Sequence, residues 1–252
     1  DEAGIEYFTS PYDLSQIDEL SKFVAAWKIG SGEITWHELI KKLASDKKPL
    51  MVATGASTIN EVSSAYRLIS KSKKIFVLMQ CNTNYTAELE NFKFINLNVL
   101  KEYKKKFPRA ILGLSDHTPG HSSVLGAVTL GARVIEKHFT NDTSLEGPDH
   151  KFSMDPKSWK EMVLRTRELE NCLGTSLKKV EKNEYETLVL QRRSIRAKEN
   201  LLKDHIIKKK DLIYLRPCPK GSLNPYQDKL IIGKKLKKNI NKEDCILLKN
   251  VK

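Results

Sequence analysis

The chain has 252 residues, enough for one large domain or a medium domain with a small one, and its 40% hydrophobic content can fill a core. No apolar run approaches the roughly 20 residues of a membrane span, and the start Asp1-Glu-Ala-Gly-Ile-Glu6 lacks the basic and apolar segments of a signal peptide. The net charge of +13 raises nucleic-acid binding, but the lysine clusters (Lys41-Lys42, Lys71 to Lys74, Lys104 to Lys106, Lys208 to Lys210) fall at helix ends and turns without interleaved aromatics, so they read as a solvated surface that draws anionic substrates rather than nucleic acid.

Strand-like apolar runs occur at Ile5–Phe8, Ala26–Ile29, Leu50–Ala53, Ile75–Met79, Ala110–Leu114 and Val134–Ile135. Between them, Ser15–Val24, Trp36–Leu43, Ile59–Ile69, Phe94–Phe107 and Ser122–Leu130 carry apolar residues at helical spacing. Such alternation predicts a parallel sheet with crossover helices, its strands buried on both faces. Lys157–Leu173 is a long amphipathic helix ended by Gly174, and residues 175–190 read as a polar linker. Beyond it the texture changes to short apolar runs at Arg193–Ala197, Ile206–Ile207, Leu212–Leu215, Leu230–Ile232 and Cys245–Leu248, broken by Pro217, Pro219, Gly221 and Pro225. This predicts a small β-rich domain over 191–252 after a sheet domain over 1–174. The cysteines Cys81, Cys172, Cys218 and Cys245 form no CxxC pair or disulfide framework, which predicts a reducing, cytoplasmic setting.

Polar clusters follow the apolar runs in turn: Thr9-Ser10; Lys28, Ser31 and Glu33; Thr54-Gly55; Gln80, Asn82, Thr83 and Asn84; Ser115-Asp116-His117; Glu136-Lys137-His138. In a (β/α)8 barrel the C-terminal strand ends converge on one mouth, where the chemistry sits. His117 and His138 end consecutive strands, which points to an open metal or substrate site. The strand-like runs fall two short of eight and the chain does not begin with Met, so two βα units are expected to precede Asp1.

Trp27-Lys-Ile-Gly-Ser-Gly-Glu33, Ala53-Thr-Gly55, Gly113-Leu-Ser-Asp-His-Thr118, Glu136-Lys-His-Phe139 and Gly147-Pro-Asp149 together resemble the sialic acid (nonulosonic acid) synthases over essentially the whole chain. The tail from Arg193, with Leu215-Arg-Pro217, resembles the family's antifreeze-like (SAF) domain. The resemblance implies a (β/α)8 TIM-type barrel, here without its first two βα units, followed by that domain. It also implies a domain-swapped homodimer in which the small domain of one subunit covers the barrel mouth of the other.

The implied reaction condenses phosphoenolpyruvate with an N-acetylated hexose such as N-acetylmannosamine and releases phosphate, assisted by Mn2+ or Mg2+. By that resemblance His117 and His138 hold the metal. Thr9, Lys28, Ser31, Thr83 and Ser115 hold the phosphate and carboxylate of phosphoenolpyruvate, Tyr85 and Asp149 face the sugar, and Arg216 reaches its N-acetyl group from the partner subunit. Glu33, also on the sugar side, is the carboxylate placed to stabilise the cation at C2 and to deprotonate the attacking water. Asp116 and Glu136 are expected to orient His117, Lys137 or backbone groups. The family's Cys-Thr-Ser/Asn-x-Tyr-Pro motif stands here as Cys81-Asn-Thr-Asn-Tyr-Thr86, a departure that points to a subgroup with a different sugar. Two other readings compete: a Schiff-base aldolase using Lys28 or Lys137, and a non-catalytic protein whose basic tail recruits a polyanion.

Overall fold

A computed structural model describes residues 3–72 and 75–252. Lys73 and Lys74 of the predicted surface lysine run, and the first two residues of the N-terminal segment, lie outside the described residues. The chain divides into two compact units, Asp1–Thr175 and Ser176–Lys252.

The first unit is built on a six-stranded sheet in the sequential order β1-β2-β3-β4-β5-β6, every pairing parallel. The strands are β1 (Phe8–Thr9), β2 (Ala26–Ile29), β3 (Leu50–Ala53), β4 (Phe76–Cys81), β5 (Ile111–Asp116) and β6 (Val134–Lys137). The helices between and after them are α1 (Ile17–Leu20), α2 (His37–Ser45), α3 (Ile59–Ser70), α4 (Val99–Lys106), α5 (Ser122–Thr129) and α6 (Pro156–Leu173). The predicted β2 and β3 coincide with the observed ones. β4 and β5 run further into their polar ends than hydropathy indicates, through Cys81 and Asp116.

Local chemistry accounts for the helices. In α3 the Thr58 side chain caps the Glu61 N–H while Glu61 accepts from the Thr58 N–H, a reciprocal capping box. For α6, Asp155 accepts from the Ser158 N–H at 2.7 Å, Pro156 occupies the first turn, and Gly174 closes the helix at φ 49°. Two predicted helices are cut short. The Ser15–Val24 segment yields only a 3-10 turn and α1, because turns at Ser21–Phe23 carry the chain into β2 and leave Phe23 exposed. The Phe94–Phe107 segment begins as a 3-10 helix over Leu89–Phe94, and Asn96, at φ 49°, breaks it before α4.

The two faces of the sheet differ. Trp27, Ile29, Leu50, Val52, Phe76, Leu78, Leu112 and Leu114 pack with the helices in one large core. The alternate residues Met51, Val77 and Met79 form a separate inner cluster with Ala26 and Val134 against it. Side chains alternate along a strand. Lys28, Cys81, Ser115 and Glu136 therefore continue this inner face toward the C-terminal strand ends, above an apolar floor. Asp116 and Lys137 fall on the helix side.

The second unit holds α7 (Tyr185–Gln191), within and just beyond the stretch that reads as a linker, and an antiparallel pair β7 (Ser194–Ala197) and β8 (Leu212–Leu215). The remaining strand-like runs become isolated bridges, such as Arg196 with Cys245 and Ile206 with Lys235, and 3-10 turns at Pro225–Leu230 and Leu248–Asn250. The predicted β-rich domain is thus a small apolar core of Ile195, Ala197, Ile207, Ile231, Leu236 and Ile246 held largely by loops. All four cysteines are free thiols. Among the described residues no helix is long and apolar enough to cross a membrane.

Candidate active site

The inner polar residues meet at the strand ends. Lys28 on β2 forms an ion pair with Glu136 on β6 (Nζ to Oε1 3.0 Å), and Ser115 on β5 donates its hydroxyl to the same carboxylate oxygen at 2.9 Å. The ion pair is mostly shielded, with side chains 15% and 27% exposed, so its attraction is stronger than a surface pair's. Glu136 was expected to orient His117, Lys137 or backbone groups; it binds Lys28 and Ser115 instead, because period-two alternation turns it inward while Lys137 turns out.

Next to this cluster, Ser31 in the turn after β2 accepts the Gly55 N–H at 2.9 Å. A Cβ at Gly55 would stand 2.7 Å from Thr83 Oγ1 and 2.9 Å from Ser31 Oγ. The loops after β2, β3 and β4 thus converge on a point where a side chain would have to displace Ser31 or Thr83. Cys81 lies between Ser31 and Ser115; burial raises its thiol pKa, and hydrogen bonds from those two serines together with the Lys28 charge work against the rise.

The histidines stand together, ring centroids 5.1 Å apart, with Tyr85 against both at 4.3 Å from His117 and 5.6 Å from His138. Phe152 closes the back of the group, 5.0 Å from His138. His117 Nδ1 lies 2.8 Å from the Asn82 carbonyl oxygen. A carbonyl only accepts, so Nδ1 carries the proton and Nε2 keeps its lone pair. Burial holds the His117 imidazole below its usual pKa, against the opposing Asn82 carbonyl, and the charge of His138 adds to the lowering. His138 Nδ1 faces Asp149 Oδ2 at 3.4 Å, which likewise leaves Nε2 available. Among the described residues no group of three or more His, Cys, Asp or Glu side chains is arranged to hold a metal. The donors the site offers an ion are thus two imidazoles, each with Nδ1 engaged and Nε2 open, and the other positions of such an ion would fall to substrate and water.

Other expected site residues lie further out. Thr9 pairs in register with Trp27, on the parity opposite Lys28, and makes no polar contact with the cluster among the described residues. Glu33, in the 3-10 turn Ser31–Glu33, folds over Gly30, and its carboxylate has no hydrogen bond or ion pair among the described residues. It does not cap α2, whose N-cap position is Trp36. Arg216 is exposed on the second unit. Of the remaining histidines, His150 bonds Thr140 at 2.7 Å, and His205 pairs with Asp211 at 2.8 Å.

Lys137 is unavailable as an imine-forming amine. Its ammonium, on the helix side, donates to Asp116 Oδ2 at 2.7 Å and to the Thr118 carbonyl at 2.5 Å, with both charged side chains fully buried. Lys28 on the inner face is engaged in the ion pair with Glu136.

The family model described as NeuB matches residues 1–178. The chain is 37% identical to N,N'-diacetyllegionaminic acid synthase of Legionella pneumophila, over 98% of its own length and 70% of that protein's. It is 33% identical to the enzyme of the same name from Campylobacter jejuni, over 96% of its length and 72% of that protein's. Among solved structures it resembles the N-acetylneuraminic acid (sialic acid) synthetase of Leptospira borgpetersenii in complex with citrate, with a TM-score of 0.67, 28% identity, and 74% of this chain and 65% of that one covered. The chain belongs to the NeuB family of nonulosonic acid synthases.

Proposed function

We propose that the protein condenses phosphoenolpyruvate with N-acetylmannosamine or a related N-acetylated hexose and water, giving a nonulosonic acid and phosphate. One observation carries this reading. Lys28, Ser31, Thr83 and Ser115, from the ends of three strands, converge around Gly55 and Glu136 beside the imidazole pair. An ammonium ringed by hydroxyl and amide donors is a fitting cradle for a small multiply charged phosphate ester. The likeness to two diacetyllegionaminic acid synthases supports an acceptor of the neuraminate or legionaminate type.

In the proposed reaction, C3 of phosphoenolpyruvate forms a bond to the aldehyde carbon of the open-chain sugar. The C2=C3 π pair makes that bond and the aldehyde oxygen takes up a proton; C2, left cationic, takes hydroxide from water, and the C2–O bond to phosphate then breaks as the C2 hydroxyl loses its proton and becomes the ketone. Lys28, Ser31, Thr83 and Ser115 hold the phosphate and carboxylate, with Thr9 at the neighbouring strand end. Glu33 accepts the proton of the attacking water, a role its unpartnered carboxylate suits better than that of Glu136, already committed to Lys28 and Ser115. Tyr85 and Asp149 line the sugar side. His117 and His138 would hold a Mn2+ or Mg2+ ion through Nε2, and such an ion supplies Lewis-acid polarisation of the sugar carbonyl. Asn82 and Asp149 fix the two ring orientations. We also assign the second unit as an SAF domain that brings Arg216 to the partner subunit's site in a homodimer, and the sheet as part of a (β/α)8 barrel.

The test uses the full-length protein with phosphate release as readout. Release should require phosphoenolpyruvate, an N-acetylhexosamine and a divalent ion, stop with EDTA and return with Mn2+. Release without any acceptor sugar would sink the condensation, and activity that survives His117→Ala with His138→Ala would sink the metal assignment.

A further inference from the structure

Arg216 stands alone on the surface of the second unit, yet the chain on both sides of it is fastened. The fastening comes from β7. Ser194, fully buried, donates its hydroxyl to the Pro217 carbonyl at 2.8 Å, with the Leu215 carbonyl 3.3 Å away. Arg196, two residues on and on the same side of the strand, spreads its guanidinium over three partners. Nε donates to Ser194 Oγ at 3.1 Å, Nη2 to the Pro217 carbonyl at 2.8 Å, and Nη1 to the Glu243 carbonyl at 2.9 Å. Arg193 adds a donor to the Tyr214 carbonyl at 2.6 Å. The carbonyls of Tyr214 and Pro217 are therefore held by charged donors, while the Arg216 side chain between them makes no hydrogen bond or ion pair among the described residues.

We infer that Arg196, acting with Ser194, is a positioning residue that presents Arg216 to the acceptor sugar. This rests on the proposal that Arg216 contacts the sugar. The physical reason is entropic. A free guanidinium on a loose loop loses chain freedom when it binds, whereas one on a loop already fixed loses only its own rotamers. Arg196 suits the task because its planar fork reaches three acceptors at once, which a lysine ammonium on a flexible stem cannot reproduce. Its charge is directed wholly at protein oxygens, so it leaves Arg216 as the cation facing outward from this loop.

The experiment is a kinetic double-mutant cycle on the full-length enzyme, with phosphate release measured as N-acetylmannosamine and phosphoenolpyruvate are each varied at saturation of the other. Arg196→Ala should lower kcat/KM for the sugar about tenfold, the scale expected when a binding group is misplaced by a fraction of an ångström, and leave the KM for phosphoenolpyruvate unchanged. In an Arg216→Ala background the same change should cost nothing further. Arg196→Lys should recover only part of the loss. Additive losses in the double variant, or an equal rise in both KM values, would overturn the positioning role while leaving the Arg216 contact standing. A wild-type kcat/KM in Arg216→Ala alone overturns the contact itself, and the proposal with it. Should Arg196→Ala fail to fold, Ser194→Ala removes one of the two donors to the Pro217 carbonyl and is read by the same cycle.

Discussion

The buried pair Asp116–Lys137 makes an asymmetric stability prediction. The carboxylate accepts from Lys137 Nζ at 2.7 Å, from the Thr118 N–H at 3.1 Å and from the Thr118 hydroxyl at 3.0 Å, and it also takes the Ser123 hydroxyl. Among the described residues Lys137 has one other acceptor, the Thr118 carbonyl at 2.5 Å. Asp116→Ala therefore strands an ammonium whose side chain is 1% exposed. Breaking a buried pair in this direction costs about 3–5 kcal/mol. Lys137→Met removes the charge that needs a partner and leaves a carboxylate still holding its other donors. That loss should be nearer 1–3 kcal/mol, the usual cost of a lost charge-assisted hydrogen bond with residual desolvation. Joining Asp116→Leu to Lys137→Met removes both charges, and the double variant should be more stable than Asp116→Ala alone.

Urea unfolding followed by tryptophan fluorescence is the assay, because Trp27, Trp36 and Trp159 all lie in the first unit and report it alone. The reasoning is refuted if Lys137→Met costs more than Asp116→Ala, or if both single variants lose less than about 1 kcal/mol. The pair matters to chemistry through position. It joins the last residues of β5 and β6, directly before His117 and His138. If His117 and His138 hold the proposed ion, any variant that loosens the pair should weaken Mn2+ binding to the folded protein along with its stability.

Two further predictions follow from the same geometry. Gly55→Ala places a methyl group where Ser31 and Thr83 now meet, so the KM for phosphoenolpyruvate should rise at least tenfold with the urea midpoint little changed; an unchanged KM would remove Gly55 from the phosphate cradle. Asp46 gives a pH dependence: partial burial pushes its carboxyl up, but the Trp27 indole N–H at 2.7 Å, the Lys48 N–H and the Lys48 charge outweigh this and hold it below the ordinary aspartate value. A depressed folded-state pKa contributes stability that is present above the unfolded value and lost as pH falls through the folded one. Asp46→Asn should therefore flatten the acid limb of the stability curve below about pH 4, and an unaltered limb would show that the indole contact contributes nothing.

How far the fold was legible depended on whether burial alone decided an element. β2, apolar but for Lys28, and β3, apolar throughout, are runs whose bounds hydropathy marks correctly. β4 and β5 outrun their apolar stretches because Gln80, Cys81, Ser115 and Asp116 are satisfied sideways, by neighbours that no local pattern reveals: the Gln80 amide, for example, donates to the Ile95 carbonyl at 2.9 Å. α1 failed for the opposite reason. Ile17, Leu20, Phe23 and Val24 have helical spacing, but Val24 is buried while Phe23 is 69% exposed, so the period belongs to a turn feeding a strand. In the second unit the apolar runs found the core and misjudged the ladder, since single bridges fasten residues without extending into strands.

The site was legible as residue types at strand ends and not as pairings. Glu136 and Lys137 show why. Adjacent in sequence and opposite in charge, they read as one polar knot. The fold separates them completely: Glu136 joins Lys28 and Ser115 on the inner face, and Lys137 joins Asp116 beneath α5. The signal that distinguishes them is parity. Val134 sits against the inner floor and Ile135 against the helix core, so counting by twos from Val134 sends Glu136 inward and counting from Ile135 sends Lys137 outward. The same count from Ala26 turns Lys28 inward, and from Gly113 it turns Ser115 inward. Parity alone brings Lys28, Ser115 and Glu136 to one face and removes Lys137 from it, so of the two lysines a Schiff-base aldolase could use, Lys137 is buried against Asp116 on the far side of the sheet and only Lys28 faces the strand-end cluster, paired there with Glu136.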